Sequence, residues 1–120
     1  MKVCITAQGA DMEAGLDPRF GRAQQFIVAD TETGAFEAHD NSQNLNAMQG
    51  AGVQAAQNVA DLGVEALVTG NVGPKAFAAL NAAGIKIYVG ASGTVRDALA
   101  QFRAGQLQSA SQASVEGHWA

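Results

Sequence analysis

The sequence predicts a single α/β domain built around a mixed β-sheet. A first strand is followed by two β-rich segments joined by a tight turn, and apolar strands then alternate with helical segments, a pattern typical of helices packed on a sheet. Of the 120 residues, 48% are hydrophobic, and a chain of this length buries about two thirds of the surface that its unfolded form exposes. We therefore expect one domain over residues 1–107 and a flexible, Ser/Ala-rich tail over residues 108–120.

The first predicted strand, residues 2–7, is apolar on both faces, as expected of a central strand. A long connection follows over residues 8–23, with three glycines and Pro18. Connections longer than about 12–15 residues are uncommon in compact domains and are usually either functional or disordered. This connection is therefore a candidate functional loop.

The next two strands, residues 26–30 and 35–40, form a predicted hairpin. Between them lie residues 31–34, which end in glycine, as tight turns often do. The second strand of the hairpin is half polar, which favours a position at the edge of the sheet. Residues 41–47 are polar and predict a loop.

The second half of the chain alternates helices and strands. Glycine or proline marks their boundaries: Gly63 ends one helix, Pro74 begins another and Gly105 ends the last. The last helix has the clearest apolar period, from Val95 to Phe102. The predicted segments are, in order, helix 49–62, strand 64–69, helix 74–84, strand 85–89 and a helix from residue 95 to Gly105.

Composition excludes several functional classes. Seven Lys and Arg stand against eleven Asp and Glu, a net charge of −4, which argues against nucleic-acid binding because lysine and arginine dominate contacts with phosphates. The single cysteine, Cys4, excludes an intrachain disulfide and a multi-cysteine metal cage. Neither a membrane-spanning apolar run nor a secretory signal is apparent, so we expect a soluble, cytoplasmic protein.

Three loops follow predicted strands 1, 4 and 5 and should meet at one end of the sheet. They are residues 8–23, 70–74 and 90–94. Ligands in open α/β sheets bind at the carboxyl ends of strands, and the N–H groups of glycine-bearing turns that open helices bind anions. Capping is the alternative for the third loop, where Ser92 or Thr94 would precede the helix.

Four side chains are candidate metal ligands: Cys4, Met12, His39 and Met48. Methionine thioethers are soft ligands suited to Cu(I), but a loop methionine also fills gaps in a core. Cys4 lies on the first strand, where a buried thiol is the alternative to a thiolate ligand. His39 lies on the edge strand, where simple exposure to solvent is the alternative.

One stretch is distinctive: Asp17-Pro18-Arg19-Phe20-Gly21-Arg22-Ala23, followed by a strand at residues 26–30. The helix start at Gly50 and Gly52, the segment 63–70 and the apolar spacing between residues 95 and 107 extend the pattern. Over residues 1–107 the sequence resembles the family of dinitrogenase iron–molybdenum cofactor biosynthesis. The resemblance implies a three-layer, ribonuclease-H-like α/β fold whose five-stranded sheet has the order 3-2-1-4-5, with strand 2 antiparallel.

The resemblance also implies a function. Family members bind a metal–sulfur cofactor or its precursor transiently and without catalysis, and small stand-alone members carry a molybdenum–copper sulfide cluster. We therefore expect a monomeric, nitrogenase-accessory-like carrier of such a cluster or of an iron–molybdenum cofactor precursor. Its expected partners are cofactor-assembly proteins or ATPases.

A preformed cluster of this kind is a large, soft anion that brings its own sulfide ligands, so N–H donors and one or two cations are sufficient to hold it. Arg19 and Arg22 are the natural cations, and the alternative for Arg19 is to anchor the loop through Asp17. The predicted binding residues are Met12, Arg19, Phe20, Gly21, Arg22, Met48, Gly50, Gly52, Gly70, Asn71, Gly73, Ser92, Gly93 and Thr94.

Two other functions compete with a carrier. A ribonuclease-H-like hydrolase needs acidic residues near the ends of the central strands to hold divalent metals. The first strand offers Cys4 and Thr6, and the fourth ends at Thr69, so this cluster of acids is missing. A nucleotide-sensing or small-anion-sensing module would use the same loops, although an aromatic clamp is not evident.

Overall fold

The structure is a computed structural model, and it describes residues 1–41 and 51–111. Strands and helices follow one another largely as predicted. In chain order they are β1 (Lys2–Ala7), β2 (Gln25–Asp30), β3 (Phe36–Asp40), α1 (Ala51–Asp61), β4 (Ala66–Val68), α2 (Pro74–Ala82), β5 (Lys86–Val89), α3 (Val95–Arg103) and β6 (Gln108–Ser109). Most of the predicted loop 41–47, the predicted start of the first helix and residues 112–120 lie outside the described part of the chain.

The strands form one mixed sheet in the order β3-β2-β1-β4-β5-β6. β2 runs antiparallel to β1, whereas β4 and β5 run parallel to it. At the centre of the sheet, Ile5 lies between Ile27 and Val68, and all three side chains are fully buried. The predicted order and the antiparallel direction of strand 2 are confirmed.

The prediction of five strands is wrong, because β6 adds a sixth at the edge of β5. Val89 pairs with Gln108 in antiparallel register, and the Ala110 N–H donates to the Ile87 carbonyl at 2.8 Å. Both residues of β6 are polar and exposed, so no apolar alternation signals this strand in the sequence. The sheet therefore extends beyond Leu107, the predicted end of the domain, and the flexible tail stays a prediction for residues 112–120.

Helices cover both faces of the sheet and divide the core in two. α1 and α2 pack on the face that carries Cys4 and Leu67. α3 packs on the opposite face, against Val3 and Ile5. This alternation along β1 explains why every residue of the strand after Lys2 is buried.

The loop end of the sheet collects the segments that carry the predicted site. Because β1, β4 and β5 are parallel, their carboxyl ends meet at the same edge. β2 starts at this edge, since Gln25 pairs with both Ala7 and Asp40. The loops after β4 and β5 lead to helices on opposite faces, which is where open α/β sheets bind ligands.

Candidate functional site

The long connection after β1, residues 8–23, is a folded part of the sheet end. The Asp17 N–H donates to the Thr6 carbonyl at 2.9 Å, and the Thr6 hydroxyl donates to the Asp17 carbonyl at 2.6 Å. The hydroxyl oxygens of Thr6 and Thr69 lie 2.8 Å apart and share a hydrogen bond that joins β1 to the end of β4. The connection is therefore ordered, and its functional role remains a prediction.

The first half of this connection covers the face on which α3 packs. Met12 and Leu16 are buried there, with 4% and 7% of their surface exposed, in the cluster that contains Val95. The Met12 side chain therefore fills a gap in the core, which was the alternative to a role as a ligand. The predicted role of Met12 as a binding residue of the site has no support in this geometry.

The loop at residues 90–94 uses its N–H groups inside the protein. Thr94 caps α3: its hydroxyl accepts the Asp97 N–H at 3.1 Å, and the Asp97 carboxylate accepts the Thr94 N–H at 3.0 Å. The Gln101 side chain accepts the Ser92 N–H at 3.3 Å. The capping alternative is therefore what the structure shows.

The connection after β1 satisfies further N–H groups at the start of α3. Its carbonyl oxygens at Ala14 and Met12 accept the first N–H groups of the helix, from Val95 at 2.8 Å and from Arg96 at 2.9 Å. We expected the N–H groups at this helix start to be free to bind an anion. That expectation is wrong for Val95 and Arg96, because carbonyl oxygens from a segment distant in sequence accept their hydrogen bonds. Binding roles for Ser92 and Thr94 remain predictions without the N–H donors that motivated them, because those N–H groups bind Gln101 and Asp97. A binding role for Gly93 also remains a prediction.

The second half of the connection lies along the loop after β4. The Asn71 N–H donates to the Pro18 carbonyl at 2.8 Å, and the Phe20 N–H donates to the Asn71 carbonyl at 3.3 Å. Gly70 permits this approach, because a Cβ atom at that position would lie 2.7 Å from the Pro18 Cα and 2.8 Å from its carbonyl oxygen. The two loops therefore form one surface with Arg19 and Asn71 side by side.

Phe20 anchors this surface. Its ring is fully buried and stacks on Phe26 of β2, with 5.7 Å between ring centroids. Gly21 beside it is also buried, and Arg22 is partly buried. Phe20 therefore anchors the segment between Arg19 and Arg22 in the core. Because its ring is buried, it is not available to a ligand.

Arg19 is the exposed cation of this surface. Its side chain is 45% exposed, and its Nε lies 4.0 Å from the Asp17 carboxylate, which is only 4% exposed. The same carboxylate oxygen accepts the Arg19 N–H at 3.1 Å. Burial raises the pKa of Asp17, whereas hydrogen bonds from the N–H groups of Arg19 and Gln24 and the charge of Arg19 lower it. Both roles proposed for Arg19 are geometrically compatible.

Two helices begin next to this surface. Gly73 precedes α2 and has no side chain to cap the first turn, and Pro74 is the first helical residue. Gly52 in the first turn of α1 faces Ala76 so closely that an added Cβ would lie 3.1 Å from the Ala76 Cβ. The starts of α1 and α2 are thus adjacent, and their dipoles favour negative charge at this end.

Asn41 is a residue that the sequence analysis missed. It is fully buried, its side-chain amide donates to the carbonyls of Ala23 at 2.8 Å and Gly21 at 3.4 Å, and its N–H donates to the Gln24 carbonyl at 2.9 Å. Asn41 thus fixes the end of the arginine loop, residues 17–23, onto the end of β3. In the sequence it is one polar residue of a polar run, so no local signal distinguishes it.

The candidate metal ligands that the structure describes do not come together. Cys4 is fully buried in the core under α1 and α2, and His39 lies on the edge strand with Nε2 at 3.4 Å from the Glu37 carboxylate. Over residues 1–41 and 51–111, no group of three His, Cys, Asp or Glu side chains is arranged to hold a metal ion. Met48 and Gly50 lie outside the described residues.

Burial raises the pKa of the Cys4 thiol far above its ordinary value, so no thiolate forms at neutral pH. We expect Cys4 in the folded protein to be inert to a thiol-specific disulfide reagent and to react fully once guanidinium chloride unfolds the chain. Absorbance of the released thiolate measures both reactions. Rapid reaction of the folded protein would contradict the buried position.

A groove of about 440 Å³ lies elsewhere, between α2 and the β5–β6 edge, where Phe77, Lys86 and Ser109 contribute to its walls. It reaches Gly84, at the end of the sheet opposite the arginine loop. We therefore do not assign it to the same site.

Among the described helices, none has the length and apolar character needed to cross a membrane.

Comparisons with known proteins give one family model, one sequence relative and several similar solved structures. The sequence model described as "Dinitrogenase iron-molybdenum cofactor" matches residues 1–105. An uncharacterised protein of Methanocaldococcus jannaschii is 30% identical over 95 residues, which cover 78% of this chain and 80% of that protein. The apo form of the orange protein from Desulfovibrio gigas has a TM-score of 0.91 and 44% identity, with 95% and 96% of the two chains covered. A putative NifB protein from Thermotoga has a TM-score of 0.83 and 37% identity, with 97% and 98% covered.

Proposed function

This chain belongs to the dinitrogenase iron–molybdenum cofactor family, and we propose that it is a non-catalytic carrier of a preformed, molybdenum-containing metal–sulfur cluster. The cargo is either a molybdenum–copper sulfide cluster or an iron–molybdenum cofactor precursor. We further propose that the carrier is a cytoplasmic monomer that exchanges this cargo with cofactor-assembly proteins or ATPases.

One observation carries the proposal: an exposed arginine lies beside the loop that leads into α2, the start of α2 is adjacent to that of α1, and within residues 1–41 and 51–111 side chains do not form a metal-binding set. Arg19 supplies a planar fork of N–H donors, which suits an oxo- or sulfido-anion. The uncapped start of α2 after Gly73 adds N–H groups and a favourable dipole. A cluster that brings its own sulfide needs recognition of this kind and no cysteine ligand.

The relatives support the same interpretation. One similar solved structure is described as the apo form of an orange protein, which suggests a bound group that can be removed. Another is described as a putative NifB protein, and the family itself is named for the iron–molybdenum cofactor. The family name and the word apo therefore support a removable, metal-containing cargo for this chain.

The test is uptake of a molybdenum–sulfide species by the metal-free protein. We expect protein mixed with tetrathiomolybdate, with or without Cu(I), to keep a visible chromophore and bound molybdenum after desalting. Absorption spectra and metal analysis of the desalted protein measure this uptake. Protein that emerges colourless and metal-free would refute the carrier proposal.

The same preparation separates the competing functions. A nucleotide-sensing module would show a higher melting temperature with nucleotides than without them, and a hydrolase would cleave nucleic acid with Mg²⁺ or Mn²⁺. We expect neither effect. Ligand-induced stabilisation follows the ratio of free ligand concentration to Kd, so a thermal-shift series with tetrathiomolybdate and nucleotides compares both ligand classes on one scale.

A further inference from the structure

We propose that Asp17 competes with the cargo for the Arg19 side chain and thereby limits the affinity of the site and speeds release. This inference rests on the proposed function above. Asp17 does not contact the cargo in this scheme and acts only through Arg19.

The geometry pairs an exposed cation with a buried anion. Nearly half of the Arg19 side chain is exposed, whereas the Asp17 side chain is almost completely enclosed. One carboxylate oxygen accepts the Arg19 N–H at 3.1 Å and lies 4.0 Å from Nε of the same arginine. Arg19 therefore has an anionic neighbour on one side and solvent on the other.

The position of the carboxylate is fixed by the backbone of its own residue. The N–H and carbonyl of Asp17 both bind Thr6, at 2.9 and 2.6 Å, and Thr6 shares a hydrogen bond with Thr69 at 2.8 Å. The backbone on both sides of Arg19 is also fixed, since the Pro18 carbonyl and the Phe20 N–H both form hydrogen bonds with the backbone of Asn71. Asp17 therefore has little freedom to move away when an anion arrives at Arg19.

Two effects then oppose a bound anion. First, the Asp17 carboxylate partly neutralises the guanidinium charge of Arg19, which weakens the attraction of Arg19 for the cargo. Second, the negative charges of the cargo and the carboxylate repel one another. Because the Asp17 carboxylate is buried, water and salt screen its field less than they screen the field of a surface acid. A site with Arg19 alone would bind the same cargo more tightly, whereas a carrier must also release it.

The alternative is that the Asp17 carboxylate only stabilises the conformation of the loop. The variant Asp17→Asn separates this structural role from competition through the charge. Asparagine has the same shape and keeps an oxygen that accepts the Arg19 N–H, but it removes the charge. We expect this variant to bind tetrathiomolybdate about fivefold more tightly than the wild type and to release it more slowly, which corresponds to removal of a partly screened charge interaction. A purely structural role predicts unchanged or weaker binding.

Asp11→Asn is the matched control. Asp11 belongs to the same connection, is exposed, and accepts the Glu13 N–H at 2.9 Å much as Asp17 accepts the Arg19 N–H. The net charge changes equally in both variants, but Asp11 lies on the α3 side of the connection. We expect its effect on affinity to be below about twofold. An equal gain in the two variants would overturn the local role of Asp17, because it would reflect net charge alone.

Equilibrium titration and stopped-flow release of tetrathiomolybdate test the inference. Binding by the wild type without a gain in Asp17→Asn overturns the inference and leaves the proposed function intact. Absence of binding in the wild type, whether or not Asp17→Asn binds, overturns the proposed function and the inference together. The gain should vanish when Arg19→Gln is added, since Asp17 acts through Arg19.

A measurement on the wild type covers the case in which Asp17→Asn fails to fold. Carbon-13 NMR follows the titration of the Asp17 carboxyl with and without tetrathiomolybdate. We expect the pKa of Asp17 to rise when the cargo binds, because the anion repels the carboxylate and withdraws the Arg19 charge from it. An unchanged or lower pKa in the loaded protein would overturn the inference.

Discussion

Replacing Arg19 with alanine should weaken the binding of tetrathiomolybdate about tenfold, and replacing Arg19 and Arg22 together should weaken it about a hundredfold. Hydrogen bonds from charged groups contribute roughly 1.5–3 kcal/mol each, so the loss of two such groups corresponds to about 3 kcal/mol. Titration of the visible chromophore measures the affinity. This is the largest functional effect that the site predicts.

The matched control is Arg103→Ala. Arg103 is an exposed arginine in the last turn of α3, so this substitution removes the same charge far from the arginine loop. We expect it to leave the affinity within about twofold of the wild type, as distant exposed charges are screened. If Arg103→Ala and Arg19→Ala weakened binding equally, a general charge effect would replace the site proposed here. Undiminished binding by the double variant would remove Arg19 and Arg22 from the site.

The largest expected effect on stability comes from Gly70→Ala. The new Cβ would lie under 3 Å from the Pro18 Cα and carbonyl oxygen, both of which are backbone atoms, so the two loops must separate. We expect a loss of about 3 kcal/mol in the free energy of unfolding, as for other overpacked positions. Urea denaturation followed by circular dichroism measures it.

Gly63→Ala provides the comparison for Gly70→Ala. Gly63 has a left-handed backbone with φ of 72°, and nothing lies within 4 Å of its added Cβ. Its substitution should cost about 1 kcal/mol from backbone conformation alone. Equal losses in the two variants would show that the close approach of Pro18 to Gly70 contributes nothing.

Most of the fold follows from local patterns. The apolar runs of β1 and β4 predict central strands, and the period from Val95 to Phe102 predicts α3. β6 escaped prediction because Gln108 and Ser109 are held by backbone pairing with β5, which requires no particular side chain. The strand count was therefore wrong, whereas the order of the first five strands was right.

The site was predicted less completely than the fold, because part of it depends on contacts between distant segments. The motif around Arg19 identifies the loop that the structure places beside Asn71. The loop at residues 90–94 looked equally suited to anions, but Met12 and Ala14 supply carbonyl oxygens to its helix from about 80 residues away in the sequence. Asn41 was missed for the same reason, since its partners Gly21 and Ala23 lie on another segment.

The most direct test of the proposed site is an amide NMR titration of the protein with tetrathiomolybdate. We propose that the cargo binds beside Arg19 and the start of α2, and we expect no binding at the start of α3, whose first N–H groups are bonded within the protein. We expect the largest shifts at the amides of Arg19, Asn71 and Lys75, with little change at Thr94 and Val95. Shifts concentrated at Thr94 and Val95, with none at Arg19, would contradict the account.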